Sequence, residues 1–218
     1  MNLEQARFNM IEQQIRPWDV LDQKVLEVVA STPRELFVPE AQKQLAFVDM
    51  TLPLGHDEFM MEPKLEARLL QSLAIQPQDD VLEIGTGSGY LTACLAKLAA
   101  HVYSVELYAD FKQAAQERLD AAGISNITLW QGDAAFGWPE HPGKYDVIAV
   151  TGSLPEYDDC FEKMLNPGGR LFIVAGDAPA MQAMLVTRSG GNEFDRTVLF
   201  ETVIKPLVGR SRKPAFEL

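Results

Sequence analysis

The sequence of 218 residues predicts an α/β fold, in which a doubly wound and mostly parallel β-sheet ends in an antiparallel hairpin. Between about residues 62 and 175, short apolar runs alternate with helical patterns, as expected for parallel strands joined by right-handed crossovers. Nearer the C-terminus, two strand-like runs are separated only by residues 189–193, whose paired glycines indicate a hairpin. These two patterns define the predicted fold class.

Composition restricts the classes of protein to which the chain can belong. Hydrophobic residues make up 47% and charged residues 23%, as in globular proteins, and the length fits a single domain, 1–218. The net charge of −12 argues against a nucleic-acid partner, because phosphate binding needs clustered Lys and Arg. No apolar run approaches the ~18 residues of a membrane-spanning helix, and the N-terminus has no apolar signal region. We therefore expect a cytoplasmic protein with reduced Cys94 and Cys160, while no pattern indicates its oligomeric state.

The first zone, residues 1–61, is predicted to form N-terminal helices and a lid. Apolar residues recur at helical spacing, with Asp19 as the expected N-cap of a second helix and Pro33 just after its end. Residues 33–61 show little periodicity and are predicted to form a long loop, which in a compact domain is either functional or disordered. Its phenylalanines and leucines favour the functional alternative. We expect this zone to pack on the sheet within the same domain.

The second zone, residues 62–204, is the predicted Rossmann-like core. Pro63 suits the first turn of a helix whose leucines share one face. The following strands are expected at 81–84, 102–106, 127–130, 147–150 and 171–174, the helices at 90–98, 110–122 and 156–165, and the hairpin strands at 181–188 and 194–203. A parallel sheet that ends in an antiparallel hairpin is typical of methyltransferases that use S-adenosylmethionine (SAM).

The third zone, residues 205–218, is a basic C-terminal tail. It contains Lys205, Arg210, Arg212 and Lys213 against Glu217 alone. The simpler interpretation is a solvated tail, and the alternative is a site for an anionic partner.

The densest local pattern is the glycine-rich loop GTGSG at residues 85–89, which lies between a predicted strand and a helix. Glycine permits a close approach of the backbone to a ligand, and the following helix N-terminus offers free N–H groups. The spacing G-x-G-x-G differs from the G-x-G-x-x-G expected for a dinucleotide, which disfavours NAD as the ligand. A glycine-rich turn can also serve only to reverse the chain, so the loop alone does not establish a ligand site.

Two acidic residues complete the predicted cofactor site. Glu106 ends the second strand of the core, where a carboxylate accepts hydrogen bonds from ribose hydroxyls, and Asp133 follows the third strand, where it can meet an adenine amino group. Either acid alone could be a helix cap or a surface residue, but the carboxyl ends of adjacent parallel strands meet at one crevice. For Glu83 two roles stay open, either facing the amino group of the cofactor or ordering the loop.

Longer stretches resemble the protein-L-isoaspartate O-methyltransferase family. PRELFVPE (33–40) and FVDMTLPLG (47–55) are similar to its N-terminal block, LEIGTGSGY (82–90) to its cofactor loop, YDVIAVT (145–151) to its fourth strand, and GGRL (168–171) and KPLVG (205–209) to its later landmarks. The resemblance implies a SAM-dependent O-methyltransferase that acts on the α-carboxylate of isoaspartyl residues, so that the methyl acceptor is a protein or peptide carboxylate. The cofactor residues it implies are Glu83, Gly85, Thr86, Gly87, Ser88, Gly89, Glu106, Leu107, Asp133, Ala134 and Thr151.

One segment departs from the family pattern. The family continues Gly-x-Thr-Ile-Ser-x-Pro and has its serine in the active site, whereas Pro63 here fixes a register that puts Met61 at the serine and Phe59 at the threonine. Phe59, Met60 and Met61 therefore form the predicted acceptor-site lid. Methionine cannot donate a hydrogen bond, and a charge-assisted donor contributes ~1.5–3 kcal/mol.

The departure predicts an altered acceptor. Glu58 and Glu62 add negative charge close to a site that would receive a carboxylate. The alternatives are that a neighbouring hydroxyl or backbone N–H replaces the serine, or that the protein is a SAM-binding sensor or partner without transferase activity. His56 is a lone histidine on the lid, so we assign no catalytic residue, and no metal-ligand spacing occurs.

Overall fold

The computed structural model describes residues 2–138 and 143–210. Its α-helices are α1 (Leu3–Met10), α2 (Gln23–Ser31), α3 (Pro63–Leu73), α4 (Tyr90–Leu98) and α5 (Ala109–Ala121). Its strands are β1 (Leu52–Gly55), β2 (Glu58–Met60), β3 (Asp80–Ile84), β4 (His101–Glu106), β5 (Ile127–Gln131), β6 (Tyr145–Leu154), β7 (Leu165–Ala175), β8 (Met181–Gly190) and β9 (Glu193–Thr202). Within these residues, no helix combines the length and the apolar character that crossing a membrane requires.

Seven strands form the central sheet, in the order β5-β4-β3-β6-β7-β8-β9. The pairs from β5 to β7 are parallel, whereas β8 is antiparallel to both β7 and β9. The prediction of a mostly parallel sheet that ends in an antiparallel hairpin is therefore confirmed.

The strand order reverses direction at β3, which pairs with β4 on one side and with β6 on the other. Chain crossovers leave such a switch point in opposite directions and open a crevice beyond the carboxyl ends of the two strands. Ile84 and Val150 are paired in register at this end of the sheet, directly before the residues that line the crevice.

The strands around the switch point are buried on both faces, because helices and loops cover each side. One hydrophobic cluster joins Val81 and Val147 of the sheet to Ile15 and Val29 from the N-terminal zone. The N-terminal helices thus cover the same face of the sheet as α3 and α4.

The N-terminal helices differ from the prediction in their start signal. The expected N-cap, Asp19, is wrong: it has a φ of 57° and ends a short 3₁₀ turn. Asp22 caps α2 instead, because its carboxylate accepts a hydrogen bond from Lys24 N at 2.8 Å. The predicted end of this helix before Pro33 is confirmed.

The predicted long loop at 33–61 is wrong in part, since much of it has regular structure. It contains 3₁₀ turns at Arg34–Leu36 and Glu40–Leu45 and the β1–β2 hairpin. The strands of this hairpin have only four and three residues, which is too short for periodicity to reveal them.

The predicted helix at 156–165 is also wrong. Only Glu162–Met164 forms a 3₁₀ turn, and β7 already begins at Leu165. The Asp158 carboxylate accepts a hydrogen bond from Cys160 N at 2.8 Å, a local turn that competes with helix formation.

The C-terminal segment is not a solvated tail in its first part. Lys205 and Arg210 form ion pairs with Glu58 and Asp158, respectively. Residues 211–218, which include Arg212, Lys213 and Glu217, lie outside the described residues.

Candidate functional site

A cavity of about 470 Å³ opens at the carboxyl ends of the parallel strands. It is lined by these residues of the predicted site: Phe59, Met61, Gly85, Gly87, Glu106, Leu107, Asp133, Ala134 and Thr151. The other predicted residues, which are Met60, Glu83, Thr86, Ser88 and Gly89, do not line it. The structure thus brings the two predicted sets, the cofactor loop and the acceptor-site lid, to one cavity.

The backbone of the glycine-rich loop has a conformation that requires glycine. Gly85, Gly87 and Gly89 have φ angles of 93°, 51° and 85°. A Cβ atom on Gly85 would collide with the Thr151 hydroxyl, which donates hydrogen bonds to the carbonyls of Ile84 at 2.8 Å and Gly85 at 3.1 Å. The loop therefore exposes backbone without side chains to the cavity, a cradle that fits a ligand in close contact.

Glu106 ties the end of β4 to the glycine-rich loop. Its carboxylate accepts hydrogen bonds from Gly87 N at 2.8 Å and from Tyr108 N at 3.0 Å. Burial raises the pKa of Glu106, and these backbone donors oppose that shift. Its binding to ribose hydroxyls stays a prediction, and its place on the cavity wall is compatible with it.

Glu83 lies beneath the loop. Its Oε2 accepts hydrogen bonds from Thr92 Oγ1 at 2.5 Å and from Ser104 Oγ at 2.6 Å, whereas Oε1 has no partner. Burial raises the pKa of Glu83 to about 8. Since Ser104 Oγ also lies 2.6 Å from Thr86 Oγ1, this geometry corresponds to the role of ordering the loop.

Arg210 holds the loop that contains Asp133. The Asp133 carboxylate accepts a hydrogen bond from Ala135 N at 2.9 Å, and the Arg210 guanidinium donates to Ala135 O at 2.8 Å. The same guanidinium binds Asp158 at 2.8 Å and lies 3.9 Å from the ring centre of Phe136. Arg210 therefore connects the C-terminal segment to the cavity wall at the predicted cofactor residue Asp133.

The acceptor-site lid is divided between the cavity and the core. Phe59 is 46% exposed at the mouth of the cavity, Met61 is 8% exposed on its wall, and Met60 is buried in the core. Arg34, which is ion-paired with the buried Glu66, donates a hydrogen bond to Met61 O at 2.6 Å. The buried Arg34 side chain therefore fixes the backbone of Met61, which occupies the position of the family serine.

The acidic residues of the lid do not act on the cavity as the sequence suggested. Glu58 lines the cavity but forms an ion pair with Lys205 at 2.8 Å, which offsets its charge. Glu62 does not line the cavity and lies 3.7 Å from the ammonium group of Lys64. Lys205 therefore weakens the repulsion expected from Glu58 but does not abolish it, because the Glu58 charge still contributes to raising the pKa of Glu106 on the cavity wall.

His56 forms part of the hairpin turn rather than the cavity wall. Its ring stacks on Tyr108 with 4.1 Å between the ring centres, and Nε2 lies 2.9 Å from the Asp110 carboxylate. These contacts fasten the β1–β2 hairpin to the start of α5.

Several residues at the cavity were not predicted as site residues. Tyr108 and Phe111 line it, and their only sequence signal is that they closely follow Glu106. Lys205 also lines the cavity, although the sequence places it in the KPLVG landmark at the start of the basic tail. In the described ranges, no group of three His, Cys, Asp or Glu residues could hold a metal ion.

Comparisons with known proteins extend over nearly the whole chain. The family model of protein-L-isoaspartate(D-aspartate) O-methyltransferase (PCMT) matches residues 5–212. A protein-L-isoaspartate O-methyltransferase of Brucella anthropi is 36% identical over 214 residues, which cover 98% of each chain. One of Protochlamydia amoebophila is 39% identical over 202 residues, which cover 92% of this chain and 96% of the relative.

The fold is also similar to that of solved structures. A Plasmodium falciparum protein assigned as a protein-L-isoaspartate O-methyltransferase, crystallised with S-adenosyl-L-homocysteine, superimposes with a TM-score of 0.78. The match covers 95% of this chain and 98% of the other, at 20% sequence identity. The likeness therefore includes the N-terminal zone as well as the sheet.

Proposed function

The chain belongs to the protein-L-isoaspartate(D-aspartate) O-methyltransferase family, and from this premise we propose that it transfers the methyl group of SAM to an acceptor other than an isoaspartyl carboxylate. One observation carries the proposal. The cradle of Gly85 and Gly87 and the apolar side chains of Phe59 and Met61 line the same cavity. The chain thus combines a complete cofactor loop with an acceptor wall that lacks the family serine.

The cofactor half of the cavity has groups suited to a nucleoside with a charged tail. Glu106 would accept hydrogen bonds from the ribose hydroxyls, and Asp133 would meet the adenine amino group. The backbone at Gly85 and Gly87 would hold the tail, because the loop has no side chains there. When bound, SAM would supply a sulfonium methyl group for a nucleophilic acceptor to attack, with S-adenosyl-L-homocysteine as the leaving group.

The chain contributes to transfer mainly by positioning and by excluding water. Alignment of reacting groups can supply ~7–11 kcal/mol of the barrier reduction, so the acceptor wall decides which molecule reacts. Phe59 and Met61 present apolar surface to the cavity, and Arg34 fixes the Met61 backbone. Neither side chain can donate a hydrogen bond to a carboxylate.

The loss of the serine is expected to reduce reaction with isoaspartyl peptides. A missing charge-assisted hydrogen bond of ~1.5–3 kcal/mol corresponds to a roughly 10- to 150-fold lower rate. Thr51 and Tyr108 also line the cavity, and they are the neighbouring hydroxyls that would have to replace the serine if isoaspartyl activity were retained.

The test has two steps on the purified full chain. Calorimetry first measures binding of SAM and of S-adenosyl-L-homocysteine. If the chain binds neither compound, the proposal is contradicted. Labelled SAM is then incubated with an isoaspartyl peptide, its aspartyl twin and a panel of other acceptors. Transfer to another acceptor supports the proposal, and cofactor binding without any transfer supports the sensor alternative.

A further inference from the structure

The β1–β2 hairpin is anchored in the core at its base and not at its tip. Leu52 and Met60 are paired across the two strands and are 1% and 4% exposed. The tip, residues 54–59, lies beyond this pair, and the two strands form a sheet of their own, separate from the central sheet. An isolated two-stranded hairpin is at best marginally stable in water. The tip therefore depends on contacts with other segments to stay in place.

The turn within the tip is itself unfavourable. It consists of His56 and Asp57, which have φ angles of 49° and 59°. Two-residue hairpin turns with a positive φ at both positions favour pairs that contain glycine, such as Asn-Gly. A side chain at such a position costs free energy that the surrounding contacts must offset. The closed position of the tip is therefore maintained by what it contacts and not by its own turn.

The tip forms one wall of the cavity, over the glycine-rich loop. Leu54, Glu58 and Phe59 line the cavity, and Leu54 Cδ1 lies 3.3 Å from the place where a Cβ atom on Gly87 would be. Another wall, at Glu106, belongs to β4, which is paired with a strand on each side in the central sheet. Because moving β4 would break two ladders of backbone hydrogen bonds, the tip is the wall that can move at the lower cost.

Lys205 holds the tip from the C-terminal segment. Its Nζ donates hydrogen bonds to Asp57 O at 2.7 Å and to Glu58 Oε1 at 2.8 Å, and it lies 3.1 Å from the Asp57 carboxylate. The backbone of Lys205 is fixed in turn, because its carbonyl accepts a hydrogen bond from Ser153 N of β6 at 3.0 Å. The hydrogen bond to Glu58 raises the pKa of Lys205, so its ammonium group stays charged. One side chain thus joins the tip to the central sheet.

The contacts of the tip with Lys205 are accessible to solvent. The side chains of Lys205, Asp57 and Glu58 are 36%, 83% and 25% exposed. Exposed ion pairs are weak, and salt screens them. Contacts of this kind can break and form again without disturbing the core at Leu52 and Met60.

We propose that the hairpin tip is a gate over the proposed cofactor half of the cavity and that Lys205 is the latch that holds this gate closed. Opening turns the tip about the buried Leu52–Met60 pair and breaks the exposed contacts of Lys205. The inference rests on the proposed function in one respect, since the cofactor must bind beneath the tip. It goes further by identifying Lys205 as a positioning residue that acts through Asp57 and Glu58 and sets the rate of cofactor release.

The experiment measures how fast S-adenosyl-L-homocysteine leaves the full chain. The labelled compound is bound first and then chased with an excess of the unlabelled compound, and rapid filtration gives the dissociation rate. Lys205→Met keeps an unbranched side chain without its charge and should accelerate release about 2- to 5-fold, as expected for the loss of an exposed ion pair. Lys205→Arg keeps the charge and should restore slow release.

A matched control removes a similar ion pair elsewhere. Lys163 lies 2.7 Å from the carboxylate of Asp159, both side chains are exposed, and neither residue lines the cavity. Lys163→Met should therefore leave the dissociation rate unchanged. Thermal unfolding of all variants shows that they fold.

Salt provides a second measurement, which on the wild type needs no substitution. S-adenosyl-L-homocysteine has one ammonium and one carboxylate group, so its net charge is zero at neutral pH and salt acts mainly on the protein. Raising NaCl from about 50 mM to about 500 mM should accelerate release from the wild type about twofold and should have no such effect in Lys205→Met, because screening acts on the latch. A purely structural role of Lys205 would not remove this salt dependence.

The outcomes are distinguishable. An unchanged release rate in Lys205→Met, equally fast release from Lys163→Met, or a salt effect that persists without Lys205 overturns the latch, while cofactor binding and the proposed function stand. Fast release from Lys205→Arg overturns the role of the charge. If S-adenosyl-L-homocysteine does not bind to the wild type, the proposed function fails, and the inference fails with it.

Discussion

The two halves of the cavity are built in different ways. The proposed cofactor half, formed by Gly85, Gly87 and residues 106–108 and 132–135, depends on backbone conformation and on hydrogen bonds between residues close to the switch point of the sheet. The proposed acceptor half, formed by Glu58, Phe59, Met61 and residues 203–208, depends on contacts between segments that are far apart in the chain. We therefore expect the cofactor half to tolerate little change and the acceptor half to change its specificity through a few side chains.

The largest effect is expected from Gly85→Ala in the cofactor half. The added Cβ would collide with the Thr151 hydroxyl at a φ of 93°, so affinity for S-adenosyl-L-homocysteine should fall more than ~100-fold. Gly123→Ala is the matched control, because Gly123 also has a positive φ, 71°, but no atom lies within 4 Å of the added Cβ. Calorimetry should give an unchanged affinity for the control. An equal loss of affinity in both variants would contradict the claim that the ligand contacts the Gly85 backbone.

The next effect is expected from Glu106→Ala. The variant removes the acceptor for Gly87 N and Tyr108 N and the proposed partner of the ribose, so cofactor affinity should fall by about 10- to 150-fold. Glu117→Ala removes an exposed carboxylate from α5 and serves as control. Unchanged calorimetric affinity in Glu106→Ala would refute the assignment of this residue.

A third prediction concerns Glu83 and the pH dependence of stability. Burial raises its pKa from 4.5 to about 8, so between these values the folded state keeps a proton that the unfolded state has lost. The free energy of unfolding of the wild type should therefore fall with rising pH, by up to about 1.4 kcal/mol per pH unit from this group.

The test uses Glu83→Gln, which resembles the protonated carboxyl and does not titrate. Its stability relative to wild type should increase from pH 5.5 to pH 7.5 in urea unfolding. A constant difference across this range would mean that Glu83 is ionised in the folded protein. The exposed Glu117→Gln again provides the comparison.

The smallest effect is expected at the attachment of the hairpin beside the acceptor half. His56→Ala removes the stacking on Tyr108 and the hydrogen bond with the Asp110 carboxylate. Hydrogen exchange of the β1–β2 amides should accelerate about 2- to 5-fold, as expected for loss of an exposed polar contact. Asp110→Asn should accelerate this exchange when His56 is present and should have no further effect in the His56→Ala variant. Additive effects of the two substitutions would show that the two residues are not coupled.

The same comparison explains what the sequence could predict. The glycine-rich loop and Glu106 follow from local spacing, because strands, turns and helix starts each have short-range signals. The β1–β2 hairpin could not be predicted, because its strands are too short to show periodicity. The predicted helix at 156–165 does not form, because side-chain hydrogen bonds such as that from Cys160 N to Asp158 stabilise a local turn instead.

The sequence identifies residues of the acceptor half but does not reveal how their charges are paired. The register from Pro63 identified Phe59 and Met61, and both line the cavity. The pairing of Glu58 with Lys205 joins residues 147 positions apart, which no local pattern reveals. The sequence therefore predicts an unopposed charge at Glu58, whereas the fold pairs this residue with Lys205.

The most direct test is methylation of an isoaspartyl peptide and its ordinary aspartyl twin by the wild type and by the Phe59→Thr/Met61→Ser variant, with labelled SAM. The wild type should methylate the isoaspartyl peptide no faster than the twin. The double variant should gain about 10-fold or more on the isoaspartyl peptide alone, because it restores the missing donor. Rapid wild-type methylation of the isoaspartyl peptide alone would contradict an altered acceptor.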